Sequence, residues 1–122
     1  MKTIFLAFTT ALMLICMASH QISMAAEQQD EVITASVDCT ALGALNGEVS
    51  YQYDVTLQNN TNEKFIVDYS VIFKSGSIVK KTHRHSTVLI PGESLTESHT
   101  NKMSKSEWDT ISECWIEWST RN

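Results

Sequence analysis

The chain has 122 residues, of which 43% are hydrophobic and 19% charged, and its 9 basic and 14 acidic side chains give a formal charge of −5. One proline and four glycines exclude a collagenous or low-complexity chain, and the length suits a single domain. The acidic balance argues against nucleic acid and anionic lipid as partners, because both attract a net basic face.

The beginning of the chain has the pattern of a secretory signal peptide. Lys2 provides a positive start, and an apolar stretch without a charge follows from Ile4 to Ala18. Ser23 and Ala25 are small residues at positions −3 and −1 of a cleavage after Ala25. The stretch is shorter than the roughly 20 apolar residues of a membrane-spanning helix. We therefore predict a signal peptide at 1–25, no membrane span after cleavage, and a periplasmic or secreted protein.

Cysteine usage agrees with export. Cys16 leaves with the signal peptide, so the predicted domain, 26–122, retains the pair Cys39 and Cys114. Oxidising compartments favour disulfides, and we predict that these two cysteines are bonded. Closing so long a loop removes roughly 4 to 5 kcal/mol of unfolded-state entropy in the chain model. We therefore expect the fold to depend on this bridge.

The rest of the chain alternates apolar and polar residues in the manner of β-strands. The alternation is clearest from Val49 to Leu57, and it recurs from Ile33 to Cys39 and from Cys114 to Trp118. Both cysteines fall on the inward side of their strands. From Phe65 to Phe73 apolar residues occupy both faces, which predicts a central strand.

Turn residues separate these runs. Asn59–Asn62 form a polar loop, Lys74–Ser77 a tight hairpin, and Ile90–Glu93 places proline and glycine as in a type II turn. Ser104 and Glu107 have the spacing of a capping box, which predicts one short helical turn before the last strand. Six or seven strands without a crossover helix predict an all-β, antiparallel sandwich.

The segment 55–93 resembles the middle of small bacterial immunoglobulin-like or fibronectin-type-III-like sandwich domains, including those of the FxLYD type. In those domains one strand ends in an Asn-rich turn, here Asn59–Asn62, and the next is followed by a short hairpin, here at Gly76. A later strand ends in Pro-Gly-Glu, here at 91–93. The resemblance implies an immunoglobulin-like β-sandwich of six to seven strands. It implies a scaffold without a catalytic motif.

His83 and His85 are a candidate metal site. Two residues apart on a strand, their rings leave the same face about 7 Å apart. With His99 or Met103 from nearby, they would bind copper or zinc. The alternative is that they belong to a solvated edge strand, whose positive charges discourage aggregation.

Nothing in the sequence indicates an enzyme. No local motif places a serine beside a base. Glu113 and Glu117 share a predicted outward face, where solubilising charge is a simpler interpretation than acid–base catalysis. We predict a protein without catalytic activity and without a cofactor.

Trp115 is a candidate interface residue, because its position in the last strand predicts an outward indole and tryptophan is enriched at binding hot spots. Ile66 and Ile72 would extend it into an apolar patch. The alternative is that a short helix or loop, with Trp108 in it, covers this face and makes it a second core.

These observations predict an exported, non-enzymatic binding module that contacts another exported protein. The contact would form at a sheet edge, by strand addition, or at the Trp115 face. A small metal-binding protein using His83 and His85 is the alternative. The sequence leaves the partner and the oligomeric state open.

Overall fold

The computed structural model describes residues 32–122 throughout and, before them, the backbone of three segments, 2–4, 12–16 and 21–29. Nine strands and one short helix lie in this described part of the chain. They are β1 Lys2–Ile4, β2 Leu12–Cys16, β3 Gln21–Gln29, β4 Ile33–Leu45, β5 Glu48–Asn59, β6 Phe65–Ser75, β7 Ile78–Leu89, β8 Ser94–Ser104, α1 Lys105–Trp108 and β9 Glu113–Arg121.

Two antiparallel sheets form the body of the protein. Strands β4, β5 and β8 make one sheet in that order, and β9, β6 and β7 make the other. This arrangement confirms the predicted all-β antiparallel sandwich, and β6 is the central strand that its two apolar faces predicted. No helix within the described ranges is long and apolar enough to cross a membrane.

The N-terminal strands extend both sheets on the same side of the sandwich. Strand β3 pairs with the outer edge of β4, β2 pairs with β3, and β1 pairs with the outer edge of β9. Three parts of the predicted signal peptide, 2–4, 12–16 and 21–25, lie within the described residues and the rest lies outside them. Its cleavage stays a prediction.

The core lies between the sheets and follows the alternation in the sequence. Inward residues of β4 and β5 meet those of β6 and β9, and the tyrosines and Phe73 fill the middle. Cys39 and Cys114 are buried and form a disulfide between β4 and β9, as predicted, with their Cα atoms 6.6 Å apart. Trp108 stacks on Tyr51 and closes the core at one end.

Turns and caps form where the sequence predicted them. Gly92 has φ 73°, and the amide of Glu93 donates to the carbonyl of Ile90, which closes the Pro-Gly turn. The side chain of Ser104 accepts a hydrogen bond from the amide of Glu107, so Ser104 caps the start of α1.

Different contacts join the two sheets along the two sides of the sandwich. We call the side where β4 faces β9 the disulfide side, since Cys39 and Cys114 join it. We call the opposite side, where β7 faces β8, the imidazole side. There the Nζ of Lys81 donates to the carbonyl of Lys102 at 3.4 Å, and histidines from both strands meet.

Candidate functional site

His83 and His85 lie on β7, the edge strand of its sheet, with their rings half-buried between the sheets. The ring of Tyr53 stacks on His83 at 5.0 Å between centroids and contacts His85 at 5.8 Å. Its hydroxyl is 2.8 Å from Nε2 of His85. The phenol therefore engages both imidazoles that the sequence proposed as a ligand pair.

The structure brings His99 of β8 to this place, and not Met103. The rings of His85 and His99 are stacked, 3.9 Å between centroids and 15° between planes. Met103 pairs with Val49 in the buried core. The contact between β7 and β8 follows from sheet order, so spacing within the sequence gave no means of choosing between the two.

Each imidazole on this side is paired with a phenol. The hydroxyl of Tyr51 is 2.7 Å from Nε2 of His83, and that of Tyr69 is 3.1 Å from Nε2 of His99. Tyr69 also donates to Glu97 at 2.5 Å. A phenol has one proton to donate, and Tyr69 donates it to Glu97. The oxygen of Tyr69 therefore accepts a hydrogen bond from His99, whose ring has its proton on Nε2.

Burial sets the charge of these groups. It lowers the pKa of His83, helped by Lys81, and it lowers the pKa of His85, helped by His99. Burial also raises the pKa of Tyr53 to about 12. At neutral pH the rings of His83 and His85 are therefore uncharged, and Tyr53 keeps its proton.

A metal site is not assembled in this arrangement. Among the residues that the structure describes, no three His, Cys, Asp or Glu side chains converge on one point. The Nε2 atoms of the histidines already hydrogen-bond to phenols. Metal binding by His83 and His85 stays a prediction.

The predicted interface residues lie on the outer face of the second sheet, but they do not form one apolar patch, because Asp68 and Ser70 separate Ile66 from Ile72. Ile72 and Trp115 are cross-strand neighbours on β6 and β9, and each is 7% exposed. The Nζ of Lys74 lies 5.5 Å from the centre of the Trp115 ring. Ile66 is half-buried, farther along β6. Trp108 belongs to the inner core and does not cover this face.

Between Ile66 and Ile72 the same outer face forms a cavity of about 440 Å³. Ser70 forms the floor of this cavity. The cross-strand neighbours of Ser70 are Arg84 on β7 and Glu117 on β9, one on either side. The next row along the strands has Asp68 in the middle, between Ser86 and Ser119. Sequence reasoning did not combine Arg84 with Glu117, because that needs the pairing of three strands.

The charges around this cavity differ in how they are neutralised. Asp68 accepts from Nε of Arg121 at 2.8 Å and from the hydroxyl of Ser86. The Arg121 hydrogen bond, with that of Ser86, lowers the pKa of the Asp68 carboxyl. Arg84 and Glu117 make no ion pair or side-chain hydrogen bond within the part of the chain that the structure describes.

The outer edge of β4 is a further candidate site. Strand β3 pairs with β4 from Thr34 to Thr40, and the only strand that pairs with 41–45 in the described ranges is β5. In this last segment Leu42 is 53% exposed and Leu45 is 76% exposed. The alternation analysis ended the strand at Cys39 and so missed this extension.

No protein-family model matches this sequence, and no curated protein matches it at a significant level. The resemblance to small immunoglobulin-like domains therefore stays a prediction at the level of family. The fold class stands on the two sheets and their order.

Proposed function

We propose that this protein is an exported, non-enzymatic binding domain that engages another exported protein by strand addition at the outer edge of β4. One observation carries the proposal: this edge already accepts an antiparallel strand, β3, in continuous register from Thr34 to Thr40. Strand addition gives affinity through backbone hydrogen bonds and specificity through alternate side chains.

Cleavage after Ala25 would enlarge the available edge. It would remove the β3 residues that pair with Asp38, Cys39 and Thr40. The edge freed at 38–40 would then be continuous with the edge at 41–45. The resulting edge, 38–45, has the length of an ordinary strand. The exposed Leu42 and Leu45 would contact apolar side chains of the incoming strand.

Charge favours β4 over β7, which is an edge of the other sheet. Strand β7 has Lys80, Lys81 and Arg84 and no acidic residue, and lysines on an edge oppose pairing with other strands. The only charged residue of β4 is Asp38. The disulfide at Cys39 also holds β4 against β9, and an edge held in place before binding loses less entropy on association.

Site-specific cross-linking in cells that export the full chain tests this proposal. A photo-activatable amino acid at position 42 should give adducts with one exported protein, and the same amino acid at position 88 of β7 should not. In the isolated complex, amides of 38–45 should gain protection from hydrogen exchange. Equal adducts from both positions, or protection on β7 instead, would contradict the proposal.

A variant pair makes the test quantitative. Leu42→Lys with Leu45→Lys should reduce the adduct yield at least about ten-fold, because lysine on an edge opposes pairing. Ile78→Lys with Val79→Lys is the matched control, since these residues are also exposed aliphatics at a hairpin tip. Equal losses in the two pairs would indicate a general effect of charge.

A second candidate is a small exported metal-binding protein, for copper or zinc, that uses His83 and His85, and the proximity of His99 to His85 gives it a third imidazole. Rotation of these rings would be needed to direct both at one ion. Titration with Cu(II) or Zn(II) tests it: micromolar binding lost in the variant with both His83→Ala and His85→Ala would support this function. The absence of binding would remove it.

A further inference from the structure

The cavity on the outer face of β9, β6 and β7 lies away from the edge of β4 and is bordered by one positive and one negative side chain. Arg84, Ser70 and Glu117 form one row across the sheet. Neighbouring strands are about 4.8 Å apart, so the Cα atoms of Arg84 and Glu117 are about 10 Å apart with only the serine between them. A cation and an anion thus border a small polar floor.

Both of these charges remain without an ion partner in the described part of the chain. Their neighbour Asp68 is different, because Arg121 and Ser86 already satisfy its carboxylate. The cavity therefore presents one available positive charge and one available negative charge. Its volume, about 440 Å³, is in the range of small-molecule sites.

We propose that this cavity binds the zwitterion of a free amino acid, with its carboxylate on Arg84 and its ammonium group on Glu117. The guanidinium of arginine is the side chain best suited to a carboxylate, because it donates two parallel hydrogen bonds. The hydroxyls of Ser70 and Ser119 line the same cavity and supply further polar contacts.

Charge complementarity decides between a zwitterion and a simple ion. A plain carboxylate gains the attraction of Arg84 and meets the repulsion of Glu117, and a plain amine has the reverse balance. A zwitterion gains both attractions at once. The site should therefore discriminate against ligands that have only one of the two groups.

Glycine is the smallest probe of this site, and acetate and methylammonium are its matched single-charge counterparts. Titrations of the disulfide-bonded full chain, followed by amide chemical shifts, should show saturable changes at 68–70, 84–86 and 117–119. Acetate and methylammonium should bind at least about ten-fold more weakly than glycine. Equal binding of acetate would make this an anion site and overturn the proposal.

Variants test the assignment of the two charges. Arg84→Gln and Glu117→Gln should each weaken glycine binding at least about ten-fold. Lys80→Gln, on the same strand and outside the cavity, should leave it unchanged. Exchanging the charges, with Arg84→Glu and Glu117→Arg together, should restore binding, because achiral glycine binds equally well when reversed.

Three results would overturn the proposal: no saturable shifts with glycine, equal effects of Lys80→Gln and Arg84→Gln, or no recovery in the exchanged variant. Because these residues lie away from the edge of β4, the outcome is independent of the strand-addition experiment.

Discussion

The disulfide side and the imidazole side solve the same structural problem with different chemistry. On the first, β4 of one sheet must be held against β9 of the other, and on the second, β8 must be held against β7. The disulfide side uses a covalent bond between Cys39 and Cys114. The imidazole side uses stacked rings and phenol–imidazole hydrogen bonds. The first closure therefore responds to redox conditions, and the second responds to protonation.

The largest expected effect is loss of the disulfide. Replacing Cys39 and Cys114 together by alanine should reduce the free energy of unfolding by about 4 to 5 kcal/mol, because the bond restricts a long loop in the unfolded chain. Denaturant unfolding measures this loss. Reduction of the unmodified protein should have a similar effect, and it should not destabilise the double variant further. A loss below about 1 kcal/mol would contradict the role we give to the bridge.

Asn59 provides a reference that lies at the end of the sandwich, away from both sides. Its buried amide donates to the carbonyls of Glu63, Leu89 and Ile90, and its oxygen accepts from Thr61. Asn59→Ala should cost about 2 to 4 kcal/mol, since several polar groups lose their partner. Thermal and denaturant unfolding should show a loss that is the same with and without reductant. A loss that vanished on reduction would link this loop to the disulfide side.

On the imidazole side, Tyr69→Phe should cost about 1 to 2 kcal/mol. The change removes the hydroxyl that donates to Glu97 and accepts from His99, and it leaves the size of the ring unchanged. Unfolding experiments measure the loss, and Thr56→Val is a control for an exposed hydroxyl on β5. A Tyr69→Phe variant as stable as the control would show that this hydrogen-bond chain does not hold the side closed.

The smallest effect is that of mild acid. Burial lowers the pKa of His83 and His85, so the unfolded chain binds their protons first as the pH falls. The stability that their neutral forms contribute is present above about pH 6.5 and decreases as the pH falls towards the folded pKa values. Unfolding free energies between pH 8 and pH 5 should therefore decrease, and less so in His83→Gln with His85→Gln. An equal decrease in that variant would assign the effect to carboxylates.

The sequence predicted the body of this protein well because alternation is a local signal. Val49 to Leu57 and Ile33 to Cys39 are buried on the parity that their side chains indicated. The same parity placed both cysteines inside, and a single pair in the predicted domain left one way to join them. Turns at Gly76 and Gly92 followed from residues that accept positive φ.

Parity alone was less informative about the candidate sites. It put Trp115 on the outer face, and the indole does lie outside the main core cluster, but it is buried there together with Ile72. Parity likewise put His83 and His85 on one face, and Tyr53 from another sheet turned out to contact both rings. In each case the missing information was the neighbour supplied by a distant strand.

What the sequence determined by itself is therefore the strands, their inward faces, the turns and the disulfide. Only the tertiary structure decided that His99 stacks on His85 and that Arg84 and Glu117 border one serine. It also decided that, among the described strands, the end of β4 pairs with β5 alone. The reason is that the period of a strand depends on residues two apart, whereas the choice of neighbouring strands depends on how chain segments far apart in sequence bury their apolar faces together.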